Sequence, residues 1–277
     1  MKVSKLNRFG HLIFPILKNP MSLFKNIIQK SNEIYYKNKL IKKYQKDQLP
    51  TIDIGNLFPN FTEKLDVYSF LPGTASIPDL LLLKLLAKLF NNNCDYLEIG
   101  SWRGESAINM APVANSITMI TLGENEMKNK GFSPEFISQN EFFTKGRPEF
   151  KVIHADSCNF NFGSLNKKFD LIFIDGDHQY HSIHSDSKNA FSIIRNNSSI
   201  VVWHDYGYDP ESVRYETLCA ILDSMPEEKH CNLYHVSNTM SAIYIENYKG
   251  ESHYQNSPFT PTNIFQIHVN SKLVRNN

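Results

Sequence analysis

The stretch "DLIFIDGDHQYHSIHSD", residues 170–186, decides how the chain is read. Leu171 to Ile174 run apolar without alternation and stop at Asp175, Gly176, Asp177 and His178. A strand that is hydrophobic on both sides is buried on both faces, the mark of a parallel sheet covered by helices. "SIVVWHD" (199–205) repeats the pattern, and "SIHSDSKNAFSIIR" (182–195) between them reads as a helix. Working outward, "YLEIG" (96–100), "SITMITL" (116–122) and "FKVIHA" (150–155) read as strands. "SIPDLLLLKLLAKLF" (76–90), "ESAINMAPVA" (105–114), "SPEFISQNEFFTK" (133–145) and "PESVRYETLCAILDSM" (210–225) read as helices. "NLYHVSN" and "SAIYIEN" lie close enough to pair as a hairpin and add an antiparallel edge. The expectation is an α/β fold: a doubly wound, Rossmann-like, seven-stranded, mostly parallel sheet with a C-terminal antiparallel hairpin and helices on both faces.

Three parts are expected: a basic helical appendage over 1–48, a catalytic domain over 49–250 and a polar tail over 251–277, in which "IFQIHV" is a candidate strand. The 277 residues are 41% hydrophobic and 21% charged, a globular balance. The net charge of +1 hides an asymmetry. Residues 1–46 carry 11 Lys/Arg against one acid, Glu33, giving +10, while the remaining chain is −9. An acidic body offers no extended phosphate track, so nucleic acid is not expected as a partner. "MSLFKNIIQKSNEIYYKNKLIKKY" places apolar residues at roughly helical spacing among lysines. Its stripe faces either the body or an anionic lipid surface, with "FGHLIFPIL" dipping in; single amphipathic stripes usually face a core, so docking on the body is expected. The arm and the tail are both candidates for pairing subunits. Four scattered cysteines with no C-x-x-C fit a reducing compartment. "MKVSKLNRFGHLIFPIL" lacks the long apolar core and small-residue site of a signal peptide. A cytoplasmic protein is expected, membrane-peripheral if the arm meets lipid.

In an open parallel sheet, ligands bind outside the carboxyl ends of the strands. "LEIGSWRGES" ends the first strand of the alternation with two glycines, Gly100 and Gly104, and a helix following at once, so that a ligand can meet backbone N–H groups. The plain alternative is an ordinary strand–helix turn. Glu98 sits inside an apolar strand, which is costly without a partner. "HADS" ends the third strand, where Asp156 and Ser157 are either ligand contacts or a capped turn. Neighbouring parallel strand ends lie ~5 Å apart, so Asp175, His204 and Asp205 can converge on one cation, with His178 alongside. Two carboxylates and an imidazole with open positions suit Mg²⁺, Mn²⁺ or Fe²⁺. His178, His181 and His184 wind around a helix instead of sharing a face, so the last two are read as rim or solvent residues. Trp203 is read as core, Asp186 as an exposed helical acid or a helix–loop contact, and Tyr206 and Tyr208 as pocket lining or cover for the sheet end.

The pattern E-x-G-x-x-x-G at 98–104 resembles the first motif of class I S-adenosylmethionine-dependent methyltransferases. I-D-G-x-H at 174–178 with H-D-Y at 204–206 resembles the metal-dependent small-molecule O-methyltransferases of the macrocin type, a group also labelled cephalosporin hydroxylase-like. The resemblance covers roughly residues 70–248. It implies S-adenosylmethionine held by Glu98, Gly100, Ser101, Gly104, Glu124, Asp156, Ser157 and Asp175, with Glu124 at the ribose two residues later than the family pattern. It also implies a divalent metal, Mg²⁺ first, on Asp175, His204 and Asp205, and a small-molecule or sugar acceptor. Some relatives carry Glu in place of His204, which leaves either a softer site or His204 outside the ligand set. His178 is then the base, since an imidazole takes a proton at neutral pH. Two other readings keep the fold: Fe²⁺ oxygen chemistry on the same site, or a non-catalytic nucleoside- or protein-binding relative.

Overall fold

The computed structural model describes residues 20–273. The readings placed on "FGHLIFPIL" and on the extreme N-terminus lie outside the described residues. Helix α1 spans Pro20–Tyr44. Strand β1 is Thr51–Ile52, and helices α2 (Ile54–Leu57) and α3 (Ile77–Lys88) follow. Then come β2 (Asp95–Ile99), α4 (Glu105–Met110), β3 (Ser116–Thr121), α5 (Glu124–Asn129), α6 (Pro134–Ser138), β4 (Phe150–His154), β5 (Leu171–Ile174), α7 (Tyr180–Ser192) and β6 (Ile200–Trp203). A small ribbon of β7 (Gly207–Asp209) and β8 (Ser212–Val213) leads to α8 (Tyr215–Asp223), and β9 (Leu233–Val236) and β10 (Ala242–Tyr244) close the order.

The main sheet runs β1-β9-β10-β6-β5-β2-β3-β4. Every pair is parallel except those of β10, which lies antiparallel between β6 and β9. The doubly wound expectation therefore stands, with two corrections. The hairpin is not an edge: β10 inserts beside β6. An eighth strand, beyond the seven expected, covers β9 by pairing Thr51 with His235 and Ile52 with Val236. "IFQIHV" forms no strand; instead the tail is tied down where His253 bridges Thr51 and where Thr262 and Asn263 donate to the Asp53 carboxylate.

The central strands distribute their residues between two cores. Ile172, Ile174, Val201 and Trp203 face α1, α7 and α8, packing with Leu40, Ile183, Ala190, Leu218 and Leu222. Leu171, Phe173, Ile200 and Val202 face α3 and α4, packing with Leu82, Leu83, Leu86, Ala107 and Met110. That period of two is why the apolar runs carry no polar alternation. Helix α3 starts as its sequence predicts, with Ser76 as N-cap accepting from Asp79 N and a proline in the first turn. The expected helix over 133–145 stops at Ser138. Glu141 takes a positive φ of 58°, and the N–H groups of Glu141 and Phe143 donate to Trp102 O and Arg103 O (2.7 and 2.9 Å), so this segment braces the β2–α4 loop instead of coiling.

Candidate active site

The strand order reverses at β2: β3 and β4 lie on one side, β5 and β6 on the other. The crevice at the carboxyl ends of β2 and β5 is the place where such sheets bind ligands. Gly100 stands at that point with φ +85°; a Cβ there would fall 2.3 Å from Gly176 Cα, so the loops after β2 and β5 meet backbone to backbone. Asp175 N donates to Ile99 O at 2.8 Å across the same seam. Gly104, also at positive φ, is the N-cap of α4 under the Thr144 side chain. Ser101 lies between them, its Oγ buried with no hydrogen-bond partner among the described residues.

Glu98 is fully buried on the α4 face of β2. The Tyr96 hydroxyl donates to its Oε2 at 2.8 Å and the Ser106 hydroxyl, from α4, to its Oε1 at 2.7 Å. Burial still pushes this carboxyl up to about 7, against the pull of those hydroxyls and with help from the charge of Asp175. Asp156 pairs with Lys130 at 2.9 Å and accepts from Cys158 N; the lysine holds it below the usual carboxylate range. Asp156 lines a cleft of ≈390 Å³ with Glu126, Ala155, Asn159, Phe160, Asn161 and Ser164, and Ser157 follows it in the same loop. Glu124 is exposed and turned toward Lys145 at 3.8 Å, while Glu126 returns to accept from Gly123 N.

On the β5–β6 side, one ligand atom each from Asp175, His204 and Asp205 lies within 4.8 Å of the others. His204 Nδ1 is 3.1 Å from Asp175 Oδ1 and 3.2 Å from Asp205 Oδ2, and His204 Nε2 is 3.9 Å from Asp79 on α3. Asp79 itself is anchored by Met240 N and the Ser241 hydroxyl. Asp205 reaches the cluster through a positive φ of 55°, a conformation non-glycine residues adopt chiefly where the surroundings enforce it. Burial works against protonating His204, but Asp175, Asp205 and Asp79 outweigh it and hold the imidazole pKa well above its ordinary value. Asp205 goes the other way: burial raises it, and His204, His178 and Arg214 bring it down to about 2. Neither ring nitrogen of His204 makes a well-formed hydrogen bond. Two carboxylates and an imidazole left free to ligate form a donor set that fits a divalent cation, which would compete with the imidazole proton.

His178 Nδ1 lies 3.1 Å from Asp205 Oδ2, with the ring half exposed at the crevice. His181 is exposed, and His184 stacks on Tyr180, so neither joins the cluster. Asp177 turns back onto its own loop, accepting from Gln179 N and the Ser182 hydroxyl. Trp203 is core, donating to Ser187 Oγ at 2.8 Å. Tyr206 covers the sheet end, its buried hydroxyl accepting from Leu49 N.

Several groups are missed by the sequence reading or depart from it, and Asp186 is not the exposed helical acid that one of its two readings makes it. Asp186 is buried with both oxygens unpartnered among the described residues; one lies 3.4 Å from where a Gly176 Cβ would be, and burial pushes the carboxyl up to about 7. Ile183, Asp186, Ser187 and Ala190 form one buried i, i+3, i+4, i+7 stripe, a spacing visible in the sequence. Glu105, at the first turn of α4, is likewise buried with both oxygens unpartnered. Glu141 approaches the β3–β4 ends and hydrogen-bonds His154 at 2.5 Å. Arg214 lies 3.7 Å from Asp205 and stacks over Tyr208.

Residues 97–206, from β2 through the cluster, match the family model described as Methyltransferase domain. The matched span takes in the switch point of the sheet with its glycine turn and the strand ends that carry the cluster. No curated protein matches the chain. Among solved structures, a putative O-methyltransferase from Klebsiella pneumoniae shares 16% identity over 63% of this chain and 83% of its own, with a TM-score of 0.44. The O-methyltransferase from Bacillus cereus in complex with SAH shares 15% over 64% and 84%, TM-score 0.44. A putative caffeoyl-CoA O-methyltransferase from Staphylococcus aureus shares 21% over 62% and 84%, TM-score 0.41.

Proposed function

We propose that the protein transfers a methyl group from S-adenosylmethionine to a hydroxyl of a small molecule or sugar, assisted by a divalent metal. The observation that carries this reading is the Asp175–His204–Asp205 cluster, one strand away from the Gly100 turn, with His178 held against Asp205. Gly100, Ser101 and Gly104 form a backbone cradle, and Glu98 beneath it supplies negative charge to a cationic cofactor. Asp175, His204 and Asp205 would hold the metal, which when bound would supply Lewis acidity to an acceptor hydroxyl. His178, oriented through Nδ1 by Asp205, keeps its other ring nitrogen for the acceptor proton. Arg214, 3.7 Å from Asp205, adds positive charge beside its carboxylate. The Fe²⁺ hydroxylase reading is less well served, because the cluster holds one imidazole and two carboxylates, the inverse of the two-His, one-carboxylate triad.

Calorimetric titration with S-adenosylmethionine, with and without Mg²⁺, tests the reading on wild type, Asp175→Ala and His178→Ala. Wild type is expected to bind the cofactor and to bind Mg²⁺ in a manner that Asp175→Ala abolishes. His178→Ala is expected to keep both and to lose turnover in an acceptor screen. Absence of cofactor binding under both conditions refutes the methyltransferase assignment; Mg²⁺ binding undiminished in Asp175→Ala refutes the metal site.

A further inference from the structure

Helix α1 is not buried by the body it docks on. Its inner face is held by Leu40 in the core, by Tyr36 stacked on Tyr180 (5.5 Å, 13°), and by Lys39, Lys43 and Tyr44, which all bond Asp223 at the end of α8. Glu33 on the same side accepts from the Tyr208 hydroxyl and from Tyr215 N, both at 2.9 Å. The opposite face carries Ile27, Ile34 and Tyr35, exposed by 55%, 63% and 62%, with Ile28 and Ile41 also exposed. At ~100° per residue, Ile27, Ile34 and Ile41 fall in one line along the helix, and Ile28 and Tyr35 form a second row beside it. Nothing among the described residues covers these rows. A contiguous apolar stripe of this kind on a water-facing helix marks a contact surface.

The charges around the stripe select the occupant. Lys30 and Lys42 are exposed on the same half of the helix. The only acid in residues 1–46, Glu33, is turned inward to Tyr208 and Tyr215. A second copy packed on this face would set lysine against lysine with no carboxylate to answer. An anionic headgroup layer answers them, and it repels the −9 body, so that the helix is the part that touches. No described helix is long and apolar enough to cross a membrane, and a helix with an apolar row flanked by lysines lies in the interface plane instead. We infer that the outer face of α1 is a docking surface for an anionic membrane, with Ile27, Ile34 and Ile41 entering the headgroup–acyl boundary. The surface is rigidly placed, because Glu33 ties the helix to the β7–α8 segment that carries Arg214.

The test is co-sedimentation of the full chain with vesicles of phosphatidylcholine alone and of phosphatidylcholine with about 30 mol% phosphatidylglycerol. Each is run on wild type and on Ile27→Glu/Ile34→Glu, with thermal melts to confirm that the variant keeps its fold and light scattering to follow self-association. Wild type is expected to bind anionic vesicles at least about tenfold more tightly than neutral ones, and the double variant to lose at least about tenfold. Raised salt should weaken binding. Failure to bind anionic vesicles, equal binding to neutral ones, or binding undiminished in the double variant overturns the inference. So does a wild-type dimer that the two substitutions dissolve, which would make the stripe a seam between copies.

Discussion

Replacing Glu98 by Gln separates the structural cost of this carboxyl from its use. Its pKa stands at about 7 instead of 4.5 because burial opposes the charge. A folded-state value raised above the unfolded one means that the associated stability is complete below the unfolded pKa and is lost as pH rises through the folded one. The separation corresponds to about 3 kcal/mol of folding free energy once the group is ionised. Gln removes that loss but places an amide nitrogen opposite one of two hydroxyls, Tyr96 or Ser106, that now donate to the carboxylate. Turning one hydroxyl to accept costs about 1 kcal/mol. At about pH 4 the wild-type carboxyl is protonated and its O–H makes the same demand on those hydroxyls, so the variant is expected to match wild type there within about 1 kcal/mol and to be about 3 kcal/mol more stable at about pH 8.5. Urea melts across that range read the divergence. If Glu98 also faces the cationic cofactor, the same variant binds S-adenosylmethionine about tenfold or more weakly at about pH 8.5, where it is the more stable protein. A stability difference that does not vary with pH refutes the electrostatic account, and undiminished cofactor binding refutes the functional one.

Two further substitutions probe how the site is held. Gly100→Ala forces a Cβ to within 2.3 Å of Gly176 Cα at φ +85°; it should lower stability by more than the ~1–2 kcal/mol of left-handed strain alone and abolish cofactor binding, and a melt within ~1 kcal/mol of wild type would contradict the backbone contact. Burial alone would raise the Asp223 carboxyl, but Lys39, Lys43, Tyr44 and Tyr180 hold it well below the usual range. That stability is present above the unfolded pKa and fades only in strong acid. Asp223→Asn is expected to cost about 2 kcal/mol at neutral pH and to expose α1 to limited proteolysis; an unchanged cleavage pattern would show that packing alone docks the helix.

The sheet was legible because its central strands are buried on both faces, and continuous apolar runs such as 171–174 have no other reading in a chain that alternates with helices. The ligand edge followed from it, since the ends of neighbouring strands had to bring Asp175, His204 and Asp205 together. What was not legible depends on partners far along the chain. Thr51–Ile52 is a two-residue strand held by the β9 edge, more than 180 residues away, and by His253 in the tail. The segment after Ser138 has helical composition, yet its N–H groups are committed to Trp102 and Arg103. No local pattern announces such bonds. Helix α1 was expected to direct its apolar residues to the body. In the structure Leu40 and Tyr36 do so while the isoleucine rows face outward, because the helix carries two stripes and a single period cannot say which one docks.

The buried acids give the site a common logic. Asp79, Glu98, Glu105 and Asp186 are all buried near the crevice, and Asp175 and Asp205 border it. Against them stand two imidazoles, the buried His204 and the half-exposed His178, and the guanidinium of Arg214. Arg103 is turned away, donating to Pro72 O and to the Thr74 hydroxyl. Two of these carboxyls, Glu98 and Asp186, are pushed up to about 7, chiefly by burial. Natural sequences retain such costs mainly where a ligand offsets them. In the proposed reading, a sulfonium and an ammonium on one ligand, together with a divalent metal on the neighbouring strand ends, would supply the counter-charge. A neutral nucleoside, the ligand of the non-catalytic alternative, would bring no positive charge to Glu105 and Asp186, whose oxygens have no partner among the described residues.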